Sequence, residues 1–174
     1  VDRLVGSEMC IRDRYEGVEL AEGFSKSLDN REKELNKMFP NTKVNFIKDD
    51  VKYYDFKNCS LVTSIFTLQF MSMKDRENII KKIYNGLNVG GGFLFAEKLI
   101  CTNAKLQEMM TFNYYDYKRK HFEAKDIMDK ERTLRHMLKP NTWKEIKTMI
   151  LNAGFQDVQC FWSNHLFVGA LAIK

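Results

Sequence analysis

The sequence predicts an α/β fold on a mostly parallel sheet, and three observations carry that prediction. Short apolar runs alternate with amphipathic helical stretches from residue 17 onward, and the links between them are only a few residues long. The last two apolar runs lie too close together for a crossover. Alternation with short links puts helices on both faces of parallel strands, joined by right-handed crossovers. The closing pair must then be an antiparallel hairpin.

Each element has its own signal. "GVEL" (17–20) reads as a short strand ending in an acid, and a charged helix follows over about 21–38, with Phe24, Leu28 and Leu35 on one side. Pro40-Asn41 breaks that helix, and "KVNFI" (43–47) is a strand running into "KDD". "SLVTSIFTLQFM" (60–71) is the most apolar stretch and reads as a central parallel strand. In 74–87, Ile79, Ile80, Ile83 and Leu87 recur at helical spacing, and 92–100 reads as a buried strand. The glycine triplet between them follows a helix and precedes a strand. A phosphate-cradling loop needs the opposite order, so the triplet is read as a helix stop and turn. Residues 103–139 form a polar, aromatic, helical insertion. "NTWKEIKTMILNAGF" (141–155) is a helix capped by Asn141 or Thr142, lined by Trp143, Ile146, Met149 and Ile150, and stopped by Gly154. "DVQCFWS" and "LFVGALAIK" close the chain as the hairpin.

Bulk properties narrow the classes. The 174 residues, 44% hydrophobic and 13% aromatic, suffice for one domain with a proper core. No apolar run approaches the roughly 20 residues of a membrane helix. Four scattered cysteines (Cys10, Cys59, Cys101, Cys160) lack metal-ligand spacing and read as reduced thiols, and three histidines sit on different elements, so no metal site is expected. A net charge of +5 permits a polyanionic partner without demanding one. The opening "VDRLVGSEMCIRDR" has no periodicity and resembles the translated tail of a sequencing-library adapter. Residues 1–14 are therefore expected to be an artefact, with 15–174 a partial domain whose natural N-terminus is lost.

Ligands of open α/β sheets bind beyond the C-terminal ends of the strands. The first such end offers Glu19, whose two oxygens suit a pair of ribose hydroxyls. The second offers Asp49, Asp50 and Val51, either an adenine-side pair or a turn. Thr67 and Gln69 follow the third, where Gln69 reads equally well as a cap on sheet backbone. In the insertion, tyrosines mix with Lys118, Arg119, Lys120, Arg132, Arg135 and Lys139. That mixture suits nucleic acid, a lid clamping a small carboxylate through an arginine fork, or a solvated face.

A parallel sheet ending in a helix and an antiparallel strand is the layout of the Rossmann-like class I methyltransferases. Within that fold, "FTLQF" (66–70), "KIYNGLNVGGGFLFAEK" (82–98), "YYDYKR" (114–119), "KERTL" (130–134), "LNAGF" (151–155) and "FVGALAIK" (167–174) resemble the carboxy-S-adenosylmethionine synthases. The resemblance implies a cytoplasmic homodimer that binds S-adenosyl-L-methionine and prephenate, makes the carboxylated cofactor for tRNA wobble-uridine modification, and itself contacts no nucleic acid or membrane. It assigns the substrate carboxylate to Arg132, the ribose to Glu19 with Leu20 beside it, and the adenine side to Asp50 and Val51. Ile65 joins the cofactor set at a position where the family usually has asparagine, and "HFE" (121–123) stands where it commonly has "NGY". Two other readings remain: a true methyltransferase acting on tRNA or a small molecule, and a non-catalytic binding module.

Overall fold

The computed structural model describes residues 14–174, as two units, one ending at Asp55 and the other running from Phe56 to Lys174. The suspected artefact falls on residues outside the described part, apart from Arg14, which opens the first strand.

The first unit is a strand–helix–strand turn of chain. Strand β1 (Arg14–Val18) pairs in parallel with β2 (Lys43–Ile47), from Arg14↔Lys43 to Val18↔Ile47. The strand expected at 17–20 therefore begins earlier and stops before Glu19. Helix α1 (Ser25–Met38) joins the two strands. It buries none of its own residues, yet its side chains complete the backbone of β2. Asn36 accepts from the Val44 N–H (3.0 Å) and donates to the Val44 carbonyl (2.8 Å), and Glu32 accepts from the Phe46 N–H (2.6 Å). A strand whose peptide groups are satisfied in this way offers fewer free groups for another chain to pair with.

The second unit holds the core. Its sheet runs β3-β4-β6-β5, with β3 (Cys59–Ile65) parallel to β4 (Leu87–Lys98) and β6 (Phe167–Ile173) antiparallel to both β4 and β5 (Asp157–Asn164). Helices α2 (Met73–Gly86) and α5 (Trp143–Ala153) pack against each other. Phe93, Phe95, Ile79, Ile80, Ile83 and Ile150 are essentially inaccessible to solvent. Each such side chain contributes about 1.5–3 kcal/mol by leaving water. Tyr84, Phe155 and Phe93 link helix to sheet through ring contacts of 5.1 and 6.1 Å. The capping signals at α5 hold: Thr142 and Glu145 form a capping box, and Gly154 closes the helix at φ 116°.

Two expectations need correction. The 60–71 stretch is not a central strand among the described residues. It is the edge of its sheet, with Leu61 57% and Ile65 52% exposed, because β4 is its one neighbour there. The strand also stops at Ile65, and Leu68–Phe70 turns into a short 3-10 helix. The glycine triplet, in turn, lies inside β4 rather than between helix and strand. The helix ends at Gly86, and β4 starts at once with Leu87. Pairing jumps from Cys59↔Leu87 to Leu61↔Gly92, so the glycines sit in a bulge, with Gly90 at φ 76°. Lys174 clasps that bulge through backbone bonds with Gly90 and Gly91, and its ammonium caps α2 at the Leu87 carbonyl (2.7 Å).

Candidate functional site

In the first unit, the C-terminal ends of β1 and β2 bring carboxylates to the same end of the two-stranded sheet. Glu19 follows Val18, and its N–H donates to the Ile47 carbonyl at 3.0 Å. Its Oε1 accepts from the Ala21 N–H at 2.8 Å, which shapes the turn, and Leu20 beside it is 66% exposed. Asp50 accepts from the Lys52 N–H (2.9 Å) and pairs with the Lys52 ammonium (3.1 Å). The backbone bond from Lys52 leads in holding its carboxyl below the usual carboxylate range, with the lysine charge assisting, so Asp50 stays ionised. Val51 is half-buried next to it. The turn reading of "KDD" is therefore correct as geometry, and the turn still leaves lone pairs on both acids for a polyhydroxylated ligand.

In the second unit, the corresponding strand end is Ile65-Phe66-Thr67. Ile65 presents an apolar side chain, and its carbonyl accepts from the Thr67 hydroxyl at 3.2 Å. Phe66 adopts a left-handed backbone, φ 54°, with its N–H bonded to the Ala96 carbonyl at 2.8 Å. Gln69 turns inward, and its Oε1 accepts from the Lys98 N–H at 2.8 Å. Of the two readings of Gln69, the backbone cap is the one observed.

Behind that turn lies a buried polar knot that sequence reasoning missed. Arg76 on α2 is 2% exposed and donates to the carbonyls of Leu68 (3.1 Å), Met71 (3.3 Å) and Lys139 (2.8 Å). Glu97 on β4 is 3% exposed. Burial pushes its carboxyl up to about 7, against the favourable Arg76 charge and the neighbouring N–H groups of Leu68 and Gln69. Its Oε1 has no hydrogen-bond partner among the described residues. A cavity of about 10 Å³ is lined by Leu68, Arg76, Glu97 and apolar core residues, enough for a single water. A signal was available: Arg76 lies three and four residues before Ile79 and Ile80, and Glu97 alternates with Phe93 and Phe95, so both fall on buried faces.

The insertion forms two helices, α3 (Ala104–Lys118) and α4 (Ala124–Arg135). A half-buried ion pair, Lys118 to Glu131 at 3.0 Å, bolts them together, and the Lys118 ammonium lies 4.3 Å from the centre of the Tyr114 ring. Burial, helped by the Glu131 charge, raises the Tyr114 and Tyr115 phenols above their ordinary value. Arg132, next to Glu131, points to solvent, with its side chain 74% exposed and Asp129 at 3.4 Å. Tyr114 also packs on Phe167 and His165, each at 5.4 Å between ring centres, and Phe66 meets Phe167 at 5.6 Å. Among the described residues no group of three His, Cys, Asp or Glu side chains could hold a metal, and no helix is long and apolar enough to cross a membrane.

No family model matches the chain. Curated relatives do. A carboxy-S-adenosyl-L-methionine synthase of Shewanella piezotolerans is 31% identical over 176 aligned positions, covering 98% of this chain and 72% of that protein. The chain belongs to the carboxy-S-adenosyl-L-methionine synthase family. Family members from Staphylococcus epidermidis and Nautilia profundicola are 38% and 33% identical over 75% and 91% of the chain. The chain spans 58% and 66% of the length of those two synthases. Among solved structures, the pyocyanin biosynthetic protein PhzM superposes with a TM-score of 0.64 at 11% identity, covering 92% of this chain and 43% of its own. Human N-acetylserotonin methyltransferase, in complex with SAM, gives 0.54 at 14% identity over 94% of this chain and 47% of its own. These likenesses establish the methyltransferase fold.

Proposed function

We propose that the protein containing this chain makes carboxy-S-adenosyl-L-methionine from S-adenosyl-L-methionine and prephenate. The observation that carries the reading is the shared sequence with synthases of that name across most of the chain. Residues 15–174 are read as part of a methyltransferase domain whose insertion at about 103–139 forms a lid.

The chain's residues fit the task. Glu19 keeps Oε2 free of the Ala21 bond and accepts the ribose hydroxyls, with exposed Leu20 beside it. Asp50, held ionised by Lys52, accepts from the adenine amino group while Val51 packs on the base. When bound, S-adenosyl-L-methionine supplies a sulfonium methyl acidic enough to exchange a proton for the carboxyl group of prephenate, with phenylpyruvate and water released. Arg132, exposed on α4 and engaged with Asp129 at only 3.4 Å, turns its fork to the substrate carboxylate. The bolt of Lys118 and Glu131 sets the position of α4. In this reading the enzyme is a cytoplasmic homodimer. Its product goes on to tRNA wobble-uridine modification, and the enzyme itself touches neither nucleic acid nor membrane.

One residue favours a second reading. Ile65 offers no polar side-chain atom at the end of β3, which suits methyl transfer to another acceptor. Mass spectrometry on full-length protein with both substrates separates the two. The carboxylated product is expected, and Arg132→Ala should cut its rate about 100-fold or more. Methyl transfer without prephenate, and no carboxylated product, would support the second reading instead.

A further inference from the structure

The end of β3 holds a feature that the proposed reaction does not yet use. Three non-glycine residues among those described have a left-handed backbone: Asn58, Phe66 and His165. Asparagine visits that region readily, but a bulky aromatic residue is an outlier there. Strain of this kind persists only where the surroundings over-determine it, and it concentrates at functional sites. The surroundings of Phe66 are explicit. Its N–H is pinned to the Ala96 carbonyl at 2.8 Å, and its ring stands edge-on to Phe167, 5.6 Å between centres at 83°.

That strain does not serve the core. Phe66 stays 38% exposed, while Phe93 and Phe95 on the neighbouring strand are 0% and 1% exposed. The ring instead faces outward at the C-terminal end of a parallel strand, where α/β sheets bind ligands. It extends a ring set from three other segments. Phe167 opens β6, Tyr114 lies on α3 of the insertion, and His165, itself left-handed at φ 51°, sits in the β5–β6 turn against Tyr114. Two of the three left-handed residues, Phe66 and His165, thus belong to a single aromatic cluster at the ligand end of the sheet.

We propose that the Phe66 ring is the apolar wall against which the cyclic part of the carboxylate co-substrate packs, so that the enzyme selects carboxylates carrying a ring. This rests on the reaction proposed above and names the residue that recognises its second substrate. Phe66→Gly is the informative variant, because glycine accepts the left-handed backbone without strain while removing the ring. In full-length protein, Phe66→Gly should raise the KM for prephenate about tenfold, leave S-adenosyl-L-methionine binding within about twofold, and keep the thermal midpoint at or above wild type. Phe66→Leu, which keeps apolar bulk without a ring face, should fall between. An unchanged prephenate KM in both variants overturns the proposal, and Phe66→Leu alone decides it if the glycine variant does not fold. Should wild type form no carboxylated product, the reaction assignment fails, and equilibrium binding of prephenate takes over as the readout. Weaker binding by the variants then supports the wall, while equal binding, or none by wild type, overturns it.

Discussion

Strands β3 and β4 run side by side, share a parallel register and carry comparably apolar sequences, yet they fare oppositely. β4 buries Phe93, Phe95 and Ala96 between β3 and β6, under the packed pair α2 and α5. β3 has no buried residue and exposes Leu61 and Ile65. Hydrophobicity along the chain says that a strand can be buried. The number of neighbours and the layer above it decide whether it is.

The contrast can be broken from the β4 side first. Phe95→Ala removes a side chain 1% exposed and should cost about 3–5 kcal/mol in denaturant unfolding. A loss below about 1 kcal/mol would mean that β4 is not the centre of the core. The buried end of β4 gives a second, pH-dependent difference. The Glu97 carboxyl is raised to about 7 in the folded protein from an ordinary value near 4.5. The fold therefore prefers its protonated form. That stabilisation is complete below about pH 4.5 and is lost as pH rises through about 7. Roughly 2–3 kcal/mol should disappear across this window in wild type and persist in Glu97→Gln. Parallel stability curves for the two proteins would place Glu97 in water. The smallest effect belongs to β3. Leu61→Thr should change stability by no more than about 0.5 kcal/mol while reducing self-association in sedimentation, because it dulls an exposed apolar edge. A loss resembling that of Phe95→Ala would show Leu61 to be covered in solution.

What the sequence made legible was mostly local. The stop at Gly154 is found as read, and of the two cap candidates, Asn141 and Thr142, the structure uses Thr142, with Glu145 as a partner the sequence reading did not name. The closing hairpin follows from its short turn, and the helical character of the insertion follows from its pattern, though not its division into α3 and α4. The glycine triplet misled because its partners are remote: Cys59 on one side and Lys174 on the other set the bulge. Gln69 stayed ambiguous because Lys98, the group it caps, belongs to another strand. Of the candidate site, Glu19 and Asp50 sit at strand ends as expected. Phe66 was visible only as part of a motif, since backbone strain leaves no mark on composition.

The strand order β3-β4-β6-β5 also sets a timetable for synthesis. Every pairing in the first unit, from Arg14↔Lys43 to Val18↔Ile47, can form while later residues are still inside the ribosome. β4 cannot complete itself so early. Its partner register, Gly92↔Ile173 through Lys98↔Phe167, requires the last strand to be made. Until then, Phe93 and Phe95 leave the exit tunnel on a strand with an open side. During translation the most buried strand of the finished protein is its most exposed, and it is the segment a nascent-chain chaperone would have the longest time to hold.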